Sequence, residues 1–198
     1  MPGSDRTLRW PRWLNGAVKL VFVGLLVFSV IAAGQPQFAG KAMGTRAAVY
    51  PIAALIVPLV WLATGRRGPY PHLIDALVVV PFVIDLGGNA ADLYDSLVWF
   101  DDVAHLVNWM LLVIAVGLTL ARGALAPPVV AGLALGFGAT THIIWEIGEY
   151  LVTQISDSNL FLTYEDTIGD LALSLTGSFL GAATVWVLTR RARPSQPR

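Results

Sequence analysis

Apolar residues run through this chain in six stretches separated by short polar segments, at 16–33, 48–64, 73–87, 103–121, 129–152 and 168–189. A helix crossing a hydrocarbon core about 30 Å thick needs about 20 residues, fewer where the bilayer thins or flanking side chains snorkel. Six such stretches with short connections predict an all-α polytopic membrane helical bundle of about six transmembrane helices. It forms a single membrane domain over 1–198, with tails at 1–15 and 190–198, and no internal repeat is visible. The first stretch follows Arg6, Arg9, Arg12 and Lys19 and ends in Ile31-Ala32-Ala33-Gly34, a pattern that signal peptides share. Its apolar core is long and the rest of the chain is itself membrane-like, so an uncleaved first helix is expected.

Composition agrees with this reading. The chain is 56% hydrophobic and 13% charged, with mean hydropathy +0.66. Soluble domains carry about 25% charged residues, so an ordinary soluble globule is excluded. Thirteen basic residues against 13 acidic ones leave no net charge and no broad basic footprint, so no nucleic-acid partner is expected. The absence of cysteine removes disulfides, thiolate metal sites and a cysteine nucleophile.

The position of the charges says more than their sum. Arg6, Arg9, Arg12, Lys19, Arg66, Arg67, Arg122, Arg190, Arg191, Arg193 and Arg198 fall on one side of a six-span topology, and only Lys41 and Arg46 on the other. The positive-inside rule then places both termini in the cytoplasm of a multi-pass cell-membrane protein. Trp10, Trp13, Tyr70 and Trp186 would mark the inner interface, and Trp99, Phe100 and Tyr150 the outer one.

Apart from Asp5 and Asp75, every carboxylate falls in an outer loop or the outer half of a span. These are Asp85, Asp92, Asp95, Asp101, Asp102, Glu146, Glu149, Asp157, Glu165, Asp166 and Asp170. The positive-inside rule is nearly indifferent to acids, and an acid within a span is costly and a functional candidate by default. His142, Glu146 and Glu149 project within an arc of about 60° on one helix face, and Glu146 lies about 9 Å below an outer end at Val152. Asp102 and His105 form an i, i+3 pair, and Asp166 and Asp170 an i, i+4 pair. Asp85, Gly87, Gly88 and Asn89 close the third span.

Crowded acids in low dielectric must protonate, pair with cations or bind metal. Spans three to six hold no Lys or Arg in their outer halves, so internal salt bridges are not expected to neutralise the cluster. Hydrogen bonds from groups such as Asn89, His105, His142 and Tyr164, protons, or a divalent metal ion remain. Asp-x-x-His and His-x-x-x-Glu-x-x-Glu resemble the inward-facing ligands of bundle metal sites. Imidazoles with carboxylates suit zinc, manganese or iron. Asp102, His105, Asp166 and Asp170 are the candidate metal ligands, and Glu146 and Glu149 the candidate catalytic residues, one of them as general base. Asp85, Asn89, Asp95, His142 and Tyr164 complete the candidate polar site.

Other positions have plainer readings. His72 reads as a solvated interface residue. Asp75 reads as a helix cap or a partner of Arg66 or Arg67. Asp157 and Glu165 read as solvated loop acids. His142 reads equally as a structural histidine. Gly132-x-x-x-Gly136 and Gly177-x-x-x-Gly181 would let their helices approach closely, through packing within the chain or in a homo-oligomer.

The motifs Asp85-Leu-Gly-Gly-Asn89, Leu93-Tyr94-Asp95, Asp102-x-x-His105, Glu146-x-x-Glu149-Tyr150 and Tyr164-x-Asp166-Thr167-x-x-Asp170, followed by Gly177, resemble a known pattern. It is that of the YjdF-type uncharacterised bacterial integral membrane proteins and, more distantly, of the VanZ-like proteins linked to teicoplanin resistance. The resemblance covers residues 73–185. It implies a multi-pass membrane protein with a polar motif set and supplies no reaction. VanZ-like proteins often carry Asp-Lys-x-x-His where this chain has Asp101-Asp102-x-x-His105.

Three functions fit these residues. The chain reads as an outer-leaflet protein acting on or binding membrane lipid or envelope precursors, with a divalent ion activating water. It also reads as a proton- or cation-coupled transporter, or as a non-catalytic envelope component whose acids hold the bundle.

Overall fold

The computed structural model describes residues 10–156, 158, 160 and 162–192. Asp157 and the arginines at 6, 9, 193 and 198 lie outside the described residues. Among the described residues, seven α-helices follow in order: α1 (Trp10–Ile31), α2 (Met43–Ala63), α3 (His72–Ala90), α4 (Leu93–Ser96), α5 (Phe100–Leu120), α6 (Pro127–Ile155) and α7 (Tyr164–Ala192). All but the single-turn α4 are long and apolar enough to cross a membrane. The protein is an all-α, six-helix polytopic membrane bundle. The helices run past the apolar stretches into the tails, because the polar residues flanking each stretch continue the same hydrogen-bonded ladder.

The connections are tight. Between α2 and α3 the chain reverses through Gly65 and Gly68, with φ of 73° and 75°, backbone that glycine adopts at no steric cost. Before α6, Pro127 and Pro128 occupy the first helical positions, where no N–H is needed.

Helices α1, α2 and α3 form one trio and α5, α6 and α7 another, joined where α3 packs on α5. The core of the first trio is built from Phe22, Phe38, Met43, Tyr50, Val79 and Leu86, and that of the second from Val113, Ala134 and Ala182. Leu20, Ile31, Ile52, Ile144 and Ile155 point outward, as expected of side chains that meet lipid rather than water.

Helices α5 and α7 meet most closely. A Cβ on Gly177 would overlap the Leu106 carbonyl oxygen, and one on Gly181 would lie 2.7 Å from that of Met110. The Gly177/Gly181 pair therefore packs α7 on α5. Gly132 and Gly136 do not share that role, since a Cβ on either would meet nothing within 4 Å. Gly138 takes the contact instead, its hydrogen facing Ser178 and Val113. At 100° per residue, Gly138 lies about 200° round the helix from Gly136, so the two cannot face the same neighbour.

At the end of the bundle that carries Lys19 and Arg190, Asp75 is fully buried. Its Oδ2 meets Lys19 Nζ at 2.6 Å and accepts hydrogen bonds from Asn15 Nδ2 at 2.8 Å and the Tyr70 hydroxyl at 2.5 Å. The expected partners Arg66 and Arg67 are not used. Arg66 lies over the Trp61 ring in the turn, whereas Lys19 reaches Asp75 along α1, its stem buried and its ammonium near the interface. His72 is half-buried rather than solvated, its Nδ1 3.4 Å from Asn15 Nδ2 and its ring against Tyr70. Burial and the bond to Asp75 push the Tyr70 hydroxyl above its ordinary value.

Candidate functional site

The opposite end of the bundle gathers the acids into two neighbouring groups. The first centres on Asp85, near the end of α3. Arg46, in the first turn of α2, donates from Nε to Asp85 Oδ2 at 2.9 Å and from Nη2 to Oδ1 at 3.4 Å. Its Nη1 donates to the Lys41 carbonyl. The Tyr50 hydroxyl donates to Oδ2 at 2.7 Å, the Tyr94 hydroxyl to Oδ1 at 3.2 Å, and Asn89 Nδ2 to Oδ1 at 3.3 Å. Every lone-pair direction of this carboxylate is occupied, so Asp85 is a filled hub.

Gly88 is what lets that hub close. A Cβ there would overlap the Phe100 ring and lie 2.8 Å from the Tyr94 ring, so only glycine allows the α4–α5 corner to sit against α3. The two rings then pack edge-on at 4.9 Å. Burial, followed by the Asp85 charge, pushes the Tyr94 hydroxyl far above its ordinary value, keeping it a donor.

This hub corrects one expectation. Internal ion pairs do neutralise part of the acidic cluster, because Arg46 arrives from α2 rather than from the four spans that carry the acids. Lys41 likewise pairs with Asp95 at 2.8 Å, at an exposed position.

The second group centres on His105 of α5. Its Nε2 lies 3.7 Å from Asp101 Oδ1 and 3.7 Å from Asp170 Oδ1, and its Nδ1 lies 3.1 Å from Ser174 Oγ and 3.9 Å from Glu146 Oε1. Asp101 and His105 share a face of α5 at i, i+4, and Asp170 and Ser174 share a face of α7 at the same spacing. The close α5–α7 packing brings those faces together. Ligand atoms of Asp101, His105 and Asp170 lie within 4.8 Å of one another. Donors 2.0–2.1 Å from a tetrahedral ion are about 3.4 Å apart, so the three side chains would have to draw together to hold one. This His/Asp triad could coordinate a divalent metal ion. Ser174, fully buried behind the ring, sits where a ligand histidine commonly finds its orienting partner.

Glu146 is 7% exposed, yet neither of its carboxylate oxygens accepts a hydrogen bond among the described residues. One turn deeper, His142 is also buried, its ring edge-on to Trp109 at 5.8 Å. Between the two groups lies a cavity of about 160 Å³. Asp85, Asn89, Asp101, His105, Glu149, Asp166 and Asp170 line it, with Lys41, Arg46, Tyr50 and Tyr94 on the α2 and α4 side.

Of the residues singled out by sequence, Asp85, Asn89, His105, Glu149, Asp166 and Asp170 thus converge on one cavity. Glu146 reaches it through His105. Asp102 is exposed, and its neighbour Asp101 faces α7 instead. Asp95 is exposed on its ion pair with Lys41, and Tyr164 is 77% exposed. Sequence reasoning did not assign Arg46, Tyr50, Tyr94 and Ser174 to the site. The one available signal was an arginine near the start of an apolar span, whose charge requires a buried partner.

No curated protein and no solved structure matches this chain. The family described as "Predicted membrane protein (DUF2238)" matches residues 15–191. Nearly the whole described bundle, including both halves of the cavity, falls within that match, and the chain belongs to this uncharacterised integral membrane protein family.

Proposed function

We propose that this protein is a metal-assisted hydrolase acting on a phosphate or ester of a lipid-linked substrate at the outer face of the membrane. The observation that carries the reading is the triad of Asp101, His105 and Asp170 beside a buried Glu146 that accepts no hydrogen bond among the described residues. Three protein ligands leave coordination positions for water and substrate, the pattern of catalytic rather than structural sites. A divalent ion held there would lower the pKa of bound water and polarise the substrate oxygen. With an ion on Nε2, His105 would keep its proton on Nδ1, which faces Ser174 Oγ at 3.1 Å. Glu146 serves as general base, with Glu149 on the cavity wall as the acid for the leaving group. Asp166, one turn from Asp170 on the cavity wall, and Asp102 at the rim would draw the ion toward the triad.

The outward orientation rests on the distribution of Lys and Arg, which favours the cytoplasm for both termini. The likeness to YjdF-type and VanZ-like proteins belongs to the same reading, because Asp85, Asn89, His105, Asp166 and Asp170 of that motif set line one cavity. A transporter is the weaker reading. Asp75 and Asp85 are about 15 Å apart along α3, and the buried Ala76 and Val79 between them offer no relay.

Metal analysis of protein purified without chelator tests the proposal. About one divalent ion per chain is expected in the wild type, and a loss of most of it in Asp101→Asn and Asp170→Asn. Glu146→Gln should keep the metal and lower hydrolysis of a lipid phosphate in mixed micelles by about 10²–10⁴. A folded wild type without stoichiometric metal overturns it.

A further inference from the structure

A second cavity of about 420 Å³ opens between α2 and α6 and joins the polar one. Its own walls are apolar or small, among them Val49 of α2 and Phe137, Ile144, Gly148 and Val152 of α6. Arg46, Tyr50, Phe82, Trp109, Trp145 and Glu149 line both cavities, so the two are one continuous space with a polar end and an apolar end. Its size matches a small-molecule site.

The groove exists because α2 packs on α3 and α1 while α6 packs on α7 and α5. The two outer helices of the trios make no substantial contact with each other. Both are membrane-spanning, so the slot between them faces hydrocarbon. From Glu149 to Phe137 the groove follows α6 for about 18 Å, close to the depth of one leaflet of a core about 30 Å thick. The polar end lies toward the end of the span and the apolar end toward its middle, which is how a lipid sits in a leaflet.

The charges at the polar end are divided. Asp101, Asp166 and Asp170 come from α5 and α7, and Lys41 and Arg46 stand opposite at the α2 side. An anionic head would meet the basic side directly and the acidic side through a divalent ion. Glu146, buried without a hydrogen bond, adds a group waiting for a partner on that acidic side.

The geometry points to a substrate class: a membrane lipid with a phosphate head in the acidic cavity and one hydrocarbon chain in the α2–α6 groove, entering sideways from the bilayer. This rests on the metal-site reading for the head, but the chain site stands on the groove alone. Water-soluble phosphates with no chain would bind far more weakly.

Photo-crosslinking tests this on the full-length protein in vesicles, with a phosphatidic acid carrying a diazirine on its acyl chain as probe and mass-spectrometric mapping of labelled peptides. Labelling should concentrate on Val49, Ile144 and Gly148. It should exceed by about tenfold that on the lipid-facing Leu20 of α1 and Phe179 of α7, a preference of about 1.4 kcal/mol for the groove over open bilayer contact. Gly148→Trp and Ile144→Trp should each fill the groove and abolish the excess while metal content stays at the wild-type level. Gly148 has open space around its Cβ position and Ile144 is exposed, so at least one of these should fold. A matching diacylglycerol probe, lacking phosphate, should show the groove preference at least about fivefold more weakly. Labelling spread evenly over the lipid-facing surface overturns the chain site even if the metal is found. Groove labelling that is equal for the phosphate and diacylglycerol probes overturns the phosphate head. Groove labelling in a metal-free protein supports the chain site and separately refutes the metal-dependent reaction.

Discussion

The Arg46–Asp85 pair offers the sharpest test of how this bundle is held together. Both side chains are 12% exposed, and the pair is made at 2.9 Å. Replacing Asp85 by Leu removes the one carboxylate that pairs directly with Arg46 among the described residues, leaving it the Lys41 carbonyl as hydrogen-bond acceptor. It also strands the Tyr50 and Tyr94 hydroxyls. Breaking a buried pair by removing one partner costs about 3–5 kcal/mol, and the loss of two further hydrogen bonds places Asp85→Leu near the upper end. Arg46→Met is milder, because the carboxylate keeps Tyr50, Tyr94 and Asn89 as donors. A cost of about 2–3 kcal/mol is expected there. The double variant removes both charges together, so its cost should fall below the sum of the singles by about 2 kcal/mol or more. The measurement is unfolding of the purified protein by sodium dodecyl sulfate in mixed micelles, followed by circular dichroism. Costs that add to within about 0.5 kcal/mol would show that the pair is not coupled, and the assignment of Asp85 as a charge-neutralised hub would fail.

Two further outcomes are expected. Gly177→Ala places a methyl against the Leu106 carbonyl, backbone that cannot rotate away. It should cost about 1–3 kcal/mol in the same unfolding assay, whereas Gly132→Ala and Gly136→Ala, which meet open space, should be neutral or slightly stabilising. Equal losses at all three glycines would refute the α5–α7 seam as the reason. Tyr94, held protonated by burial and by Asp85, has a folded pKa above its unfolded one. Its contribution to stability is therefore complete below about pH 10 and declines as the pH rises through and beyond that value. Alkaline titration of tyrosinate absorbance should show wild type minus Tyr94→Phe with no ionisation step near pH 10, and a step there would contradict the buried hydroxyl.

The arrangement also explains why the site is sited where two trios of helices meet. The hub on α3 and the triad on α5 and α7 each stabilise their own half, and the cavity is the space left between them. A chain with a single tightly packed core would have no such space. Here the close glycine seam between α5 and α7 brings the ligands together, while the lack of a comparable seam between α2 and α6 leaves the lateral opening.

The sequence by itself determined the number of spans, their order and the segregation of charge, because those follow from apolar run length and the high cost of charge in hydrocarbon. It also determined that acids and histidines from several helices lie at similar depth, through the fixed rise and rotation of the α-helix. Tertiary structure decided which of them meet. Adjacent residues such as Asp101 and Asp102 differ by 100° around α5, and only the position of α7 selects Asp101 as the partner of His105. The same holds for Gly136 against Gly138, and for Lys19 rather than Arg66 beside Asp75. Arg46 is the plainest case. Its charge announced a need for a partner, but a pairing across 39 residues depends on how α2 lies against α3, and no local pattern in the chain encodes that.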